Sequence, residues 1–245
     1  MKRWLWLAVT LLCLSALAFS QTVDELVNKN IEAKGGLEKI KAVKTRRMSG
    51  RADQAGGPPL AVVIENVRPD EIRQDITIAG MTLVQAYDGK GGWMIQPFSG
   101  RKDPQLMGED DLRDLTLDAD IDGPLVDYKA KGHTVEYLGH DTVDGDDALR
   151  LKVTLKNGDI VYYDLDPDTF LEIRRESQEF IRGSVKEQVT EFGSYKPVDG
   201  VMYPFSMSIW PKNDPTQMLT VTFEKVEVNA PLAESLFAVP ASLKH

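Results

Sequence analysis

The chain has 245 residues, with 29 Lys and Arg, 38 Asp and Glu, and a net charge of −9. This acidity argues against a protein that binds nucleic acid, because too few cations remain to neutralise a row of phosphates. It also disfavours stable docking on an anionic membrane surface. Hydrophobic residues form 42% and charged residues 27% of the chain, which is typical of a folded globule and excludes wholesale disorder.

The first 20 residues have the three-part layout of a secretory signal peptide. Lys2 and Arg3 give a positive start, and an apolar run follows from Trp4 to Phe19. Ala18 and Ser20 are the small residues expected just before a cut at Gln21. The apolar run is shorter than the about 20 residues that a membrane span needs. We therefore expect cleavage after residue 20 and export of residues 21–245, with a membrane anchor as the alternative.

The single cysteine, Cys13, falls inside this apolar run. Leu12 precedes it, whereas bacterial lipoprotein signals carry a small residue at that place, so we interpret Cys13 as part of the apolar stretch. The exported chain would then have no disulfide, no thiolate metal site and no cysteine nucleophile.

Two short helices are expected at the start of the exported chain. Thr22 with Glu25 three residues later forms a capping pattern, and apolar residues then recur at helical spacing up to Ile31. Gly35 and Gly36 end this helix. One or two further turns fit residues 37–43.

Most of the remaining chain is predicted to form strands. Turn sequences such as Asp88-Gly89 and Asn157-Gly158 separate the strand-like runs at short intervals. The clearest runs are Ala61 to Val67, Ile72 to Ile78, Met81 to Tyr87, Leu149 to Leu155 and Tyr203 to Ile209. Eight or more strands at this spacing predict an antiparallel sheet that curls or partly closes.

One stretch interrupts the strands. Residues 105–131 are acidic and lack a period of two, so we expect one or two short helices there, broken at Gly123-Pro124. The fold class is thus mainly β with α (α+β), an incomplete antiparallel β-barrel covered by short helices.

The search for catalytic or metal-binding residues finds no site. His133 and His140 are spaced to face opposite sides of a strand, and His245 is the last residue. Asp164, Asp166 and Asp168 resemble the start of a calcium loop, but the glycine that such a loop needs next is absent. We predict no catalytic residue, no metal and no cofactor, and keep a hydrolase that uses only carboxylates as a remote alternative.

A curled sheet can enclose a cavity lined by its apolar face. Methionines suit such a cavity because they adapt to irregular apolar partners such as a flexible acyl chain. We predict Met81, Met94 and Met207 as cavity residues.

Several short motifs recur in an order known from one superfamily. In the first half they are Arg68-Pro69, Arg73, Tyr87-Asp88-Gly89, Trp93 and Pro97-Phe98. In the second half they are Leu165-Asp166-Pro167, the strand from Phe170 to Arg174, and Ser235 to Pro240. This order resembles the superfamily of the periplasmic lipoprotein carrier LolA, with the receptor LolB and the sensor RseB, over about residues 22–240. The chain departs from a LolA in its greater length and in its acidic stretch at 105–131.

The resemblance implies a half-barrel over an apolar cavity with helices as a lid. It implies that Arg68 binds lid backbone and holds the empty cavity shut, that Trp93 shapes the cavity wall, and that Phe98 belongs to the wall or to the lid junction. The expected protein is a periplasmic, monomeric, non-enzymatic carrier of lipid acyl chains or lipoprotein in a Gram-negative bacterium, with residues 21–245 as one domain. A sensor or scaffold that binds a membrane-associated protein, as RseB does, is the alternative.

Overall fold

The computed structural model describes residues 22–243, so the predicted signal peptide lies outside the described residues. Its helices are α1 (Val23–Ala33), α2 (Leu37–Ala42) and α3 (Glu109–Ala119). Single 3₁₀ turns occur at Pro97–Ser99, Pro215–Gln217, Glu234–Leu236 and Ala241–Leu243. The strands are β1 (Thr45–Gln54), β2 (Leu60–Val67), β3 (Glu71–Ile78), β4 (Met81–Tyr87), β5 (Gly92–Gln96), β6 (Arg101–Leu106), β7 (Thr134–Val143), β8 (Asp146–Thr154), β9 (Ile160–Leu165), β10 (Glu172–Ile181), β11 (Ser184–Gly193), β12 (Lys196–Val198), β13 (Val201–Tyr203), β14 (Ser206–Pro211) and β15 (Leu219–Val228).

Thirteen strands form one antiparallel sheet in the order β6-β5-β4-β3-β2-β1-β15-β14-β11-β10-β9-β8-β7. β6 and β7 lie at its two edges and do not pair, so the sheet stays open and no closed barrel forms. This confirms the expected mainly β architecture with an incomplete barrel and few short helices. β12 and β13 form a separate hairpin.

Alternation along the strands gives the sheet an inner and an outer face. The inner face carries Met48, Leu151, Tyr163 and Phe223, and the apolar sides of α1 and α2 pack against it together with the β12–β13 hairpin. The predicted capping box of α1 is present, since the Thr22 side chain accepts a hydrogen bond from the Glu25 N–H at 3.2 Å.

The chain between the two edge strands, residues 107–133, crosses the inner face, and we call it the cover segment. α3 lies within it and packs on β3 and β4. A Cβ on Gly92 of β5 would lie 2.3 Å from Leu112 Cδ2, so the helix rests directly on the sheet there. A larger residue at this position would require the Leu112 side chain to shift.

One predicted strand is divided in the structure, and the acidic stretch contains a single helix. The run from Tyr203 to Ile209 is divided, because Pro204 lacks an N–H for a sheet ladder and the chain passes there from β13 to β14. In the acidic stretch, one of the one or two expected helices forms as α3, while Gln105 and Leu106 complete β6 and turns occupy residues 121–132. The positive φ of Gly123 contributes to that irregular course.

Candidate functional site

A partly apolar cavity lies between the inner face of the sheet, α2 and the cover segment. This first cavity has a volume of about 170 Å³. Its apolar walls are Ile40, Val43, Met48, Ile64, Leu117, Ile121, Leu125, Val201, Met202, Met207 and Phe223. Side chains from both ends of the sequence thus meet around one space, as a curled sheet permits.

A second cavity, of about 190 Å³, lies on the other side of the cover segment. Leu117, Asp120 and Pro124 line both spaces. Three residues of the cover segment thus form part of the wall of both cavities.

The interior is less apolar than the sequence predicts. Lys34, Arg46, Arg175, Asp118 and Glu172 also line the first cavity. Arg175 donates to Asp118 at 2.8 Å, and Lys34 to Glu172 at 3.0 Å. Apolar side chains of the inner face line the cavity as expected, but its wall also contains two ion pairs that were not expected.

Two tyrosines contribute further polar atoms. Burial raises the pKa of Tyr163 and of Tyr195 well above its ordinary value, so both phenols stay neutral. The Tyr195 hydroxyl donates to the Glu172 carbonyl at 2.8 Å. Neutral phenols and paired ions form a wall that can bind a polar group as well as hydrocarbon.

Arg68 fastens α2 and the cover segment to the end of β2. Its Nε donates to the Val43 carbonyl at 2.9 Å, and its Nη2 donates to the Ile40 carbonyl at 3.1 Å. The same guanidinium forms two hydrogen bonds to Asp122 of the cover segment, at 2.6 and 2.7 Å. We call these four contacts the Arg68 latch.

Asp122 also accepts a hydrogen bond from Lys41 of α2 at 2.6 Å. Burial acts to raise the pKa of the Asp122 carboxyl, but the hydrogen bonds from Arg68 and Lys41 outweigh it and lower the pKa to about 2. The carboxylate is thus ionised throughout the physiological range and holds both cations.

The predicted methionines occupy three different settings. Met207 lines the first cavity. Met94 is buried beneath α3 with Ile72 and Met107, on the same face but outside that cavity. Met81 stands at the start of β4 and is largely exposed.

The two predicted aromatic residues lie away from the cavity. Trp93 is on the outer face, where its Nε1 donates to the Phe237 carbonyl at 2.9 Å and its ring packs near Val239. Its neighbour Met94 faces inward, and adjacent strand residues must face opposite sides. Phe98 lies in an exposed 3₁₀ turn after β5.

Sequence reasoning missed the charged residues of the wall. Arg46 alternates with Met48 on one face of β1, so its inward direction could be read from the strand period. Arg175 gives no such signal, because Arg174 precedes it and Glu176 follows it. Asp122, which completes the latch, is one of many acidic residues in its segment and carries no distinctive pattern.

Among the side chains that the structure describes, no group of three His, Cys, Asp or Glu is placed to hold a metal ion. None of the helices within residues 22–243 has the length and hydropathy of a membrane span.

The sequence matches no family model, and no curated protein is detectably similar to it. Solved structures do share its fold. A domain named for outer membrane lipoprotein sorting, from Vibrio parahaemolyticus, aligns with a TM-score of 0.57 at 13% identity, covering 87% of this chain and 94% of that one.

Two further structures align over most of both chains. A DUF1329 family protein from Desulfovibrio piger has a TM-score of 0.59 at 12% identity, covering 91% of this chain and 99% of its own. A LolA superfamily protein from Nitrosomonas europaea has a TM-score of 0.60 at 10% identity, covering 89% and 98%. The chain therefore has the LolA-like fold, which confirms at the level of the fold the resemblance that its motifs carry.

Proposed function

We propose that the protein is a periplasmic, non-enzymatic carrier of lipid acyl chains or of a lipoprotein, which it shelters between the inner face and the cover segment. One observation carries this proposal: two cavities lie on either side of the cover segment, which side-chain contacts, chiefly the Arg68 latch, hold in place. Such contacts can exchange without unfolding the sheet. Arg68 is then the gating residue and Met207 a wall residue.

The size of the cavity indicates that the cover segment is closed. A dry apolar cavity of about 150 Å³ accommodates one benzene molecule. The first cavity has about 170 Å³, which accommodates only a short piece of an acyl chain. Loading therefore requires the cover segment to move and the two cavities to merge.

The expected affinity suits a carrier. Burying about ten methylenes at ~0.8 kcal/mol each gives about 8 kcal/mol before the costs of association. This corresponds to a dissociation constant on the order of micromolar, which permits both capture and release.

The names of the structural neighbours agree with a carrier, since one domain is named for lipoprotein sorting and another belongs to the LolA superfamily. We further propose that residues 21–245 act as one monomeric domain after export, without metal or cofactor.

Native mass spectrometry of residues 21–245, purified without detergent, tests the proposal. We expect co-purifying lipid, or uptake of added palmitate when the preparation is lipid-free. A clean apo mass that stays unchanged after palmitate is added would contradict the proposal. If the same protein then captured an inner-membrane protein, the alternative of a protein-binding module on this fold would replace it.

A pair of tryptophan variants locates the binding space. Met207→Trp adds bulk inside the first cavity, whereas Met218→Trp adds the same bulk at an exposed position. Overfilling a packed space costs about 1–3 kcal/mol, so Met207→Trp should weaken palmitate binding by about tenfold or more. Equal affinities of the two variants would place the acyl chain elsewhere.

A further inference from the structure

We propose that the cavity selects an anionic amphiphile, whose acidic group binds Arg46 while its hydrocarbon lies along the neighbouring apolar wall. This inference rests on the proposed function and adds to it the chemical class of the ligand.

One cation of the cavity wall has no paired carboxylate. Lys34, Arg46 and Arg175 are the cations that line the first cavity. Lys34 is paired with Glu172 and Arg175 with Asp118. Among the ion pairs of residues 22–243 none includes Arg46, so this guanidinium has no carboxylate within 4 Å in the described chain.

The wall carboxylates are already engaged with other cations. Asp118 and Glu172 have the partners just named. Asp120 is paired with Lys131 of the cover segment. Asp122 is held by Arg68 and Lys41. Among the cations that line the first cavity, Arg46 is therefore the one without a paired carboxylate, and Asp118 and Asp120 attract it only from beyond 4 Å.

Arg46 is held in place by neutral groups. Its Nη2 and Nε donate to the Asn66 Oδ1 at 2.8 and 3.3 Å. The Asn66 amide in turn donates to the Asp118 carbonyl at 3.0 Å, which fixes its oxygen towards the arginine. The guanidinium also lies over the Tyr203 ring, 5.9 Å from its centroid.

These contacts leave donors for a ligand. A guanidinium has five N–H donors, and Asn66 accepts from two of its nitrogens, which leaves Nη1 to donate to an incoming oxygen. Arginine stays charged even where burial lowers its pKa, as it does here. Arg46 is partly buried, and a partly buried cation without a paired carboxylate favours binding of an anionic head group.

The apolar path begins beside Arg46. Met48 lies two residues further along β1 on the same face and pairs across the ladder with Ile64. Phe223 and Met207 continue the wall on β15 and β14. A ligand with its acid at Arg46 would thus extend its chain over apolar side chains.

Competition binding on residues 21–245 tests the inference with ligands that share one tail. Palmitate carries a carboxylate, and hexadecanol has a neutral hydroxyl on the same hydrocarbon. A charged hydrogen bond contributes about 1.5–3 kcal/mol, so the wild type should bind palmitate about tenfold or more tightly than hexadecanol. Arg46→Gln should lower the palmitate affinity far more than the hexadecanol affinity and so remove this preference.

Arg47→Gln is the matched control. Arg47 is the next residue of β1, is exposed, and lies 3.4 Å from Glu65 on the outer face. This variant should keep the preference for palmitate. Loss of the preference in both variants would overturn the assignment to Arg46.

The wild-type comparison needs no variant and separates the two proposals. Equal affinity for palmitate and hexadecanol would overturn the inference while leaving the carrier function intact. Binding of neither ligand would overturn the carrier function itself. Inorganic phosphate alone should not displace palmitate at millimolar concentration, and if it did, Arg46 would be a site for free anions and the amphiphile assignment would fail.

Discussion

The Arg68 guanidinium and the Asp122 carboxylate meet in a paired, two-point contact, with Nη2–Oδ1 at 2.6 Å and Nη1–Oδ2 at 2.7 Å. The two residues belong to the end of β2 and to the cover segment, which are far apart in the sequence. Such fork geometry is the strongest form of ion pair in proteins, and Asp122 is nearly inaccessible to solvent. The contact therefore couples the position of the cover segment to the sheet.

Replacing Arg68 by glutamine should loosen the cover segment. Breaking a buried ion pair costs about 3–5 kcal/mol, and because Lys41 still pairs with Asp122 we expect a loss near 3 kcal/mol in the free energy of unfolding. Uptake of a fluorescent fatty acid should become faster, since the latch no longer has to open. Urea denaturation and stopped-flow fluorescence measure the two effects.

Arg51→Gln controls for the general loss of a charge. Arg51 is exposed and has only weak contacts, to Asp53 at 3.6 Å and to Glu224 at 3.8 Å. We expect no measurable change in its uptake rate. An Arg68 variant that took up ligand no faster than the Arg51 variant would show that the latch does not limit loading.

The lowered pKa of Asp122 predicts that the free energy of unfolding falls at low pH. Its pKa is lowered from 3.8 to about 2 in the folded protein. A lowered carboxyl pKa contributes stability that is complete above the unfolded value and is lost as the pH falls through the folded value. The contribution is about 2 kcal/mol and should disappear between about pH 4 and pH 2. Asp122→Asn should flatten the unfolding free energy over that interval, and an unchanged slope would contradict the assignment.

Asp164 predicts a dependence of the opposite sign. It is fully buried on the outer face and paired with Arg150 at 2.9 Å. Burial raises its pKa to about 6, because the charge of Arg150 compensates only in part. A raised carboxyl pKa means that the folded state binds the proton more tightly, so this group makes the protein less stable as the pH rises from about 4 to about 6. Asp164→Asn should remove this fall in the free energy of unfolding between about pH 4 and pH 6. Urea denaturation of the wild type and the variant at several pH values would detect the difference.

The strand periods and turn sequences predicted most of the fold. Met81–Tyr87 forms β4 within the predicted bounds, and Thr22 caps α1 as its spacing with Glu25 indicates. These features depend on residues close in sequence. The openness of the sheet depends instead on which distant strands pair, and the edge position of β7 has no local signal.

The candidate site was predicted less completely. The Arg68-Pro69 motif led to the latch, but its partner Asp122 is 54 residues away and unmarked in the sequence. The cavity charges at Arg46 and Arg175 were missed because a search for apolar alternation passes over charged residues that point inward. Strand alternation alone does forbid Trp93 and Met94 from lining one cavity.

A variant of Trp93 tests whether this outer-face residue stabilises the C-terminal segment and has no part in ligand binding. Its Nε1 donates to the carbonyl of the fully buried Phe237, and Arg73 both donates to the Leu236 carbonyl and lies over the indole ring. Trp93→Phe keeps an aromatic ring but leaves the Phe237 carbonyl without its donor, which costs about 1–3 kcal/mol. We expect faster hydrogen exchange in residues 233–243 and an unchanged affinity for palmitate.

Phe98→Ala, at an exposed position, should change neither quantity. A large fall in palmitate affinity in the Trp93 variant, with exchange in the C-terminal segment unaltered, would show that the indole acts on the cavity and not on this segment.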